Sequence, residues 1–152
     1  MASQPALRFG PATLQAGVRK LHAWGLMYAS FVTIGLATGI TVLTPYVLTT
    51  NLGIPQSAQG TALGTLAIAQ ELALLLGFAL FGALADKFGR RVVYAMGMVL
   101  LAIAYGFYAF GETMAQLVFF RVLYAFGIGA ATGMFATIIS DYAVVNDRGK
   151  LP

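Results

Sequence analysis

Two ionisable residues, Glu71 and Arg121, stand inside stretches that otherwise carry no charge, and a ten-residue segment at 82–91, GALADKFGRR, gathers Asp86, Lys87, Arg90 and Arg91. These are the residues whose types and spacing can do chemistry. A Glu in an apolar run can take up and release a proton, because burial disfavours the charged carboxylate. An Arg keeps its charge, so in the same setting it binds an anionic group or tunes a nearby acid. Insertion scales put an Arg or Asp at a helix centre in the bilayer at a cost of about 2.5–3.5 kcal/mol. A residue kept at that cost reads as functional, the alternative being an ion pair or hydrogen bond that locks helices together. Other chemistries lack their residues: the chain has no Cys, a single His (His22) and five scattered acids. Disulfides, thiolate chemistry and a metal cluster are therefore not expected. Nor is there a nucleophile–base pair or a phosphate-binding loop, so neither an enzyme nor a cofactor is expected.

The elements that must position these residues follow from composition. Of 152 residues, 59% are hydrophobic and 9% charged, with a mean hydropathy of +0.82, whereas a soluble domain is about 25% charged. The chain reads as an all-α integral membrane protein, in contact with the lipid bilayer. Its net charge of +4 comes from small groups of Lys and Arg between apolar segments, which is loop charge rather than a nucleic-acid surface. A membrane-crossing helix needs about 20 residues. That places four spans, near 24–49, 59–82, 92–111 and 115–140, within a transmembrane region at 23–140. Residues 1–22 read as a flexible or surface-lying tail, and the apolar run after it is too long for a signal peptide and lacks a cleavage site. The turn at 51–59 contains Asn51, Gly53, Pro55 and Ser57, which supply turn chemistry.

Eight of the nine basic residues fall before span one, between spans two and three, or after span four; the ninth is Arg121. The positive-inside rule then puts both ends and segment 82–91 on the cytoplasmic side of a cell membrane. Trp24, Tyr28, Tyr46, Tyr94, Tyr108 and Tyr142 fall near span ends, where amphipathic rings favour the interface. Span three, with Met96, Met98, Leu100, Leu101, Ile103, Phe107 and Phe110, reads as largely lipid-facing or buried in apolar contacts. Gly60, Gly64, Ala67 and Glu71 share one face of span two; Arg121, Ala125, Gly129, Thr132 and Ala136 share one face of span four, flanked by Gly127 and Gly133. Small residues so spaced let membrane helices pack closely, or line a polar cavity. Thr33, Ala37, Thr41 and Thr44 share a face of span one, and Pro45 can kink its outer end. Thr41 joins Glu71 and Arg121 as a candidate for a solute or proton site. Glu71 and Arg121 can meet through water in a shared cavity, without direct contact being implied.

Segment 82–91 resembles, position for position, the signature loop of the major facilitator superfamily of secondary transporters, G-x-L-x-D-[RK]-x-G-R-[RK], at Gly82, Leu84, Asp86, Lys87, Gly89, Arg90 and Arg91. Two more stretches are similar to that family. Residues 121–129, RVLYAFGIG, resemble its fourth-helix pattern R-x-x-x-G-x-G-x-G, with Ala125 where a Gly is usual, and Arg148-Gly149-Lys150 looks like the start of its loop to a fifth helix. The resemblance implies twelve helices in two halves built from inverted three-helix repeats. The chain would then supply the first four helices of a longer carrier, with residues 141–152 leading toward a fifth and the remaining helices as its partners. It also implies transport of a small solute by alternating access, driven by a solute or proton gradient, with Asp86 and the basic residues latching the cytoplasmic side. Gly82 and Gly89 would permit the tight turn, Asp86 would cap the next helix, and Arg90 and Arg91 would anchor it at the anionic interface. A rival reading is a self-contained four-helix membrane protein acting as an oligomer, resembling small multidrug exporters or a membrane assembly factor. Those exporters lack the loop at 82–91 and place their Glu in the first helix.

Overall fold

The computed structural model describes Arg8–Phe9, Ala12–Thr13 and residues 20–142. Within the tail, β1 (Arg8–Phe9) pairs antiparallel with β2 (Ala12–Thr13). Four helices follow among the described residues: α1 (Lys20–Thr50), α2 (Gly60–Phe88), α3 (Arg90–Tyr108) and α4 (Met114–Tyr142). All four helices are long and apolar enough to cross a membrane.

The helices are delimited by local chemistry. Helix α1 runs unbroken through Pro45. The chain then reverses at Gly53, whose φ of 67° favours glycine, and the Ile54 N–H bonds the Leu48 carbonyl at 3.0 Å. Buried Gln59 fastens this turn to the start of α2, its carboxamide nitrogen donating to Thr49 Oγ1 (2.9 Å), Ile54 O (3.0 Å) and Pro45 O (3.2 Å). At the start of α4, Gln116 Oε1 accepts the N–H groups of Glu112 and Thr113, while Thr113 Oγ1 accepts the Gln116 N–H. That reciprocal pair satisfies donors a helix start leaves open. Asn51 Nδ2 ties the two loops at this far end, donating to Ala109 O and Gly111 O.

The segment expected as a charged hinge loop is not one. Helix α2 continues to Phe88 and α3 begins at Arg90, so Gly89 alone makes the turn, at φ 89° and ψ 146°. The reason is local. Residues 83–88, ALADKF, contain no Gly or Pro, so nothing stops the helix before Gly89, and a side chain there would be strained. Gly82 lies inside α2 rather than in a turn. Asp86 sits exposed in the last turn of α2 and does not cap α3, whose first turn has no side-chain cap.

Helix α4 is the centre of the bundle: 56% of its apolar window is buried, against 17% for α1. Its tightest crossing is with α3, where a Cβ on Gly97 would stand 2.8 Å from Gly127 O and a Cβ on Gly127 would stand 2.9 Å from Leu101 N. Helix α3 divides between the two expectations, one face exposed and the other buried in apolar contacts. Met96, Ile103 and Phe107 are exposed, but Val93, Gly97, Leu101, Ala104 and Tyr108 form a buried stripe. Against α2, Leu74 packs at Gly129 and Phe78 at Gly133. Gly60 and Gly64, expected in helix packing, are exposed with nothing within 4 Å of an added Cβ. The buried face of α2 is instead the line Leu66, Ala73, Gly77, Phe81 and Ala85.

Candidate polar site in the bundle core

Arg121 is 6% exposed. Its position on α4 lies on the same face as Leu117, Tyr124, Ala125 and Ile128, all buried, so the helix period itself turns the guanidinium inward. Arg121 Nη1 donates to Thr44 Oγ1 of α1 at 3.0 Å, and its guanidinium carbon lies 5.9 Å from the Tyr124 ring centroid, within cation–π range. Thr44 donates its one proton to Ile40 O at 2.6 Å. Tyr108 Oη, 2.9 Å from Thr44 Oγ1, must then be the donor in their contact. One donated and two accepted bonds saturate the Thr44 hydroxyl.

The Arg121 side chain remains electrostatically open. Its Nε is buried and meets no acceptor among the described residues, and no carboxylate there pairs with it. Buried charges are ordinarily paired or hydrogen-bonded, because an unpaired one loses its hydration uncompensated. Among the described residues, the other buried side-chain polar atom without a partner is Gln70 Oε1 of α2.

Four tyrosine hydroxyls meet α1 along one side: Tyr94 Oη lies 3.0 Å from Thr33 Oγ1, Tyr105 Oη donates to Leu36 O, Tyr124 Oη donates to Ala37 O at 2.5 Å, and Tyr108 reaches Thr44. Tyr94 and Tyr108, expected at the membrane interface, are thus internal hydrogen-bonding groups, whereas Trp24, Tyr28 and Tyr46 are exposed. Tyr142's side chain lies outside the described residues. The rings of Tyr105 and Tyr124 meet edge to face, centroids 5.9 Å apart.

Comparison with known proteins agrees with this architecture. The family model described as Major Facilitator Superfamily matches residues 26–151. The chain belongs to the major facilitator superfamily. Among curated relatives, it is 41% identical over 105 residues to low affinity inorganic phosphate transporter 3 of Petunia hybrida, covering 64% of this chain and 18% of the relative. Low affinity inorganic phosphate transporter 1 of Petunia hybrida is 46% identical over 82 residues, 49% of this chain and 15% of the relative. The niacin transporter NiaP of Acinetobacter baylyi is 30% identical over 79 residues, 52% of this chain and 18% of the relative. The matches thus span under a fifth of these relatives' length. No solved structure matches.

In this superfamily chain the expected site residues do not form one cluster. Arg121 is in the core, whereas Glu71 and Thr41 are exposed on α2 and α1, and no ion pair joins Glu71 to Arg121 among the described residues. Along segment 82–91, Asp86, Lys87, Gly89, Arg90 and Arg91 are all exposed, and Lys87 Nζ lies 5.3 Å from the Phe88 ring centroid. Gly82 and Leu84 are partly buried in α2. Residues 143–152, read as the start of a loop to a fifth helix, lie outside the described residues. Sequence reasoning missed Thr44's contact with Arg121, Tyr105, Tyr124 and Gln70. The signal for the tyrosines was their spacing: Tyr105 and Tyr108, and Tyr124 beside Arg121, sit at helical steps from buried positions.

Proposed function

We propose that this chain supplies the first four helices of a secondary transporter that moves a small anionic solute by alternating access, coupled to protons. The observation that carries the reading is Arg121, a buried cation held only by neutral groups with Nε still available as a donor. An anion arriving there completes the guanidinium's bonds, and Arg suits phosphate and carboxylate oxygens because its planar fork can bind two at once. Inorganic phosphate and niacin, the solutes in the relatives' names, are both oxyanions at neutral pH. That the matches span 15–18% of the relatives' length supports a carrier with further helices.

In this reading the α2–α3 turn is cytoplasmic, and Asp86, Gly89 and Arg90 form the latch that closes against those further helices, which fits their exposure here. Glu71, exposed on α2, takes the coupling proton or contacts the solute. Uptake of phosphate and of niacin into vesicles bearing the full-length carrier, with and without a proton gradient, tests the proposal. Arg121→Ala is expected to raise KM by about 10- to 100-fold, the scale of hydrogen bonds to a charged group. Glu71→Gln is expected to flatten the pH dependence of uptake and Asp86→Asn to slow turnover. Anion uptake unchanged in Arg121→Ala refutes the anion site; normal pH dependence in Glu71→Gln removes Glu71 from coupling; an unaltered rate in Asp86→Asn removes the latch.

A further inference from the structure

The two buried side-chain polar atoms without partners among the described residues, Arg121 Nε and Gln70 Oε1, are complementary: one is a donor, the other an acceptor. They also lie at the same depth on facing helices. Helices α2 and α4 run in the same direction, since Leu74 packs at Gly129 and Phe78, four residues on, packs at Gly133, also four on. Counting back four residues from Leu74 places Gln70 opposite Ala125. Counting back seven from Gly77, which packs on Phe126, places it opposite Phe119. Arg121 falls between these two levels. Gln70 also follows Leu66 by four residues and precedes Ala73 by three, so it shares the buried stripe of α2.

Neither atom has a bonding partner that accounts for its burial. Burying an unpaired carboxamide oxygen is unfavourable, and a Leu or Met would fill the same place in an apolar stripe. An acceptor set beside a cationic donor is suited to a ligand that offers both kinds of oxygen, one carrying negative charge and one still carrying hydrogen.

Resting on the anionic-solute reading above, we propose that Gln70 is the specificity-determining partner of Arg121. Arg121 binds the charged oxygen of the solute, and Gln70 Oε1 accepts a hydrogen bond from its O–H. The carrier therefore selects oxyanions that retain a proton, such as dihydrogen phosphate, over those that have none. In this structure both atoms are buried, with α1 held over Arg121 through Thr44; solute reaches them when that contact opens. Discrimination arises because an anion lacking the O–H leaves the Gln70 oxygen unsatisfied and facing another lone pair, and sites built to hydrogen-bond one group reject analogues without it.

The test uses the full-length carrier in proteoliposomes at pH 6, where inorganic phosphate carries protons and sulfate does not. The wild type is expected to take up phosphate with a kcat/KM at least tenfold above that for sulfate. Gln70→Met, close in size but without the acceptor, is expected to raise the phosphate KM about tenfold while moving the sulfate KM less than twofold. Equal changes for both anions would show that Gln70 only positions Arg121, and would overturn the assignment. So would a wild type that transports both anions equally well, a result that needs no variant to fold. A wild type that carries neither anion would instead remove the anionic-solute reading, and this inference with it.

Discussion

At the scale of single residues, the Thr44 hydroxyl is the least replaceable group in the core. It accepts from Arg121 and Tyr108 and donates to Ile40 O, so Thr44→Val, which keeps the shape, strands a buried cation and a buried phenol at once. Leaving a buried donor unsatisfied costs about 1–3 kcal/mol. The variant is expected to unfold at a lower temperature in detergent, while Thr41→Val, at an exposed position, is expected to match the wild type; equal losses would refute the bonding scheme. The pair also shows what the sequence could and could not reveal. Arg121 is conspicuous because a charge in an apolar run stands out by type alone. Thr33, Thr41 and Thr44 are alike by type, and the choice among them depends on the rotation of α1 about its axis. That rotation is set by packing, which buries Thr33 and Thr44 and leaves Thr41 exposed.

At the scale of elements, four spans were legible from hydropathy because a bilayer demands about 20 apolar residues for each crossing. Their ends and faces were less so. Charge at 82–91 suggested a loop, yet a run of good helix formers carries charge without breaking, and only Gly89 ends α2. The stripe at Gly60 and Gly64 suggested packing, and within these four helices it meets no neighbour, since small residues permit close approach without supplying a partner. The close approach instead uses Gly97, hidden among the bulky residues of α3. Gly97→Leu is expected to push α3 off α4, since even a Cβ there would stand 2.8 Å from Gly127 O and from Ala131 N. Loss of a monodisperse peak in detergent would report it. Gly106→Leu on the same helix, with nothing within 4 Å, is expected to be tolerated, and a similar defect there would mean that the α3–α4 contact is not what Gly97 protects.

At the scale of the whole molecule, these 152 residues contain no Cys, so, with any Cys elsewhere in the carrier replaced, a single introduced thiol makes the orientation directly measurable. A single Cys replacing Lys87 in the full-length carrier is expected to react with a membrane-impermeant maleimide only from the cytoplasmic side, and one replacing Glu112 only from the opposite side; the reverse pattern would invert the topology. The way the parts are joined also sets how the molecule can move. With one residue between α2 and α3, and backbone against backbone between α3 and α4, those three helices have no slack and tilt as a single lever. Helix α1 is fastened unequally. Among the described residues its buried apolar ones, Ile40, Val47 and Leu48, lie in the half nearer the Asn51 loop, whereas the hydroxyls of Tyr94, Tyr105 and Tyr124 meet it around its middle, at Thr33, Leu36 and Ala37. Hydrogen bonds can be exchanged for bonds to entering water at little net cost, but an interdigitated apolar contact cannot. Helix α1 is thus built like a door, pinned by grease toward the Asn51 loop and bolted around its middle by three hydroxyls that entering water can replace.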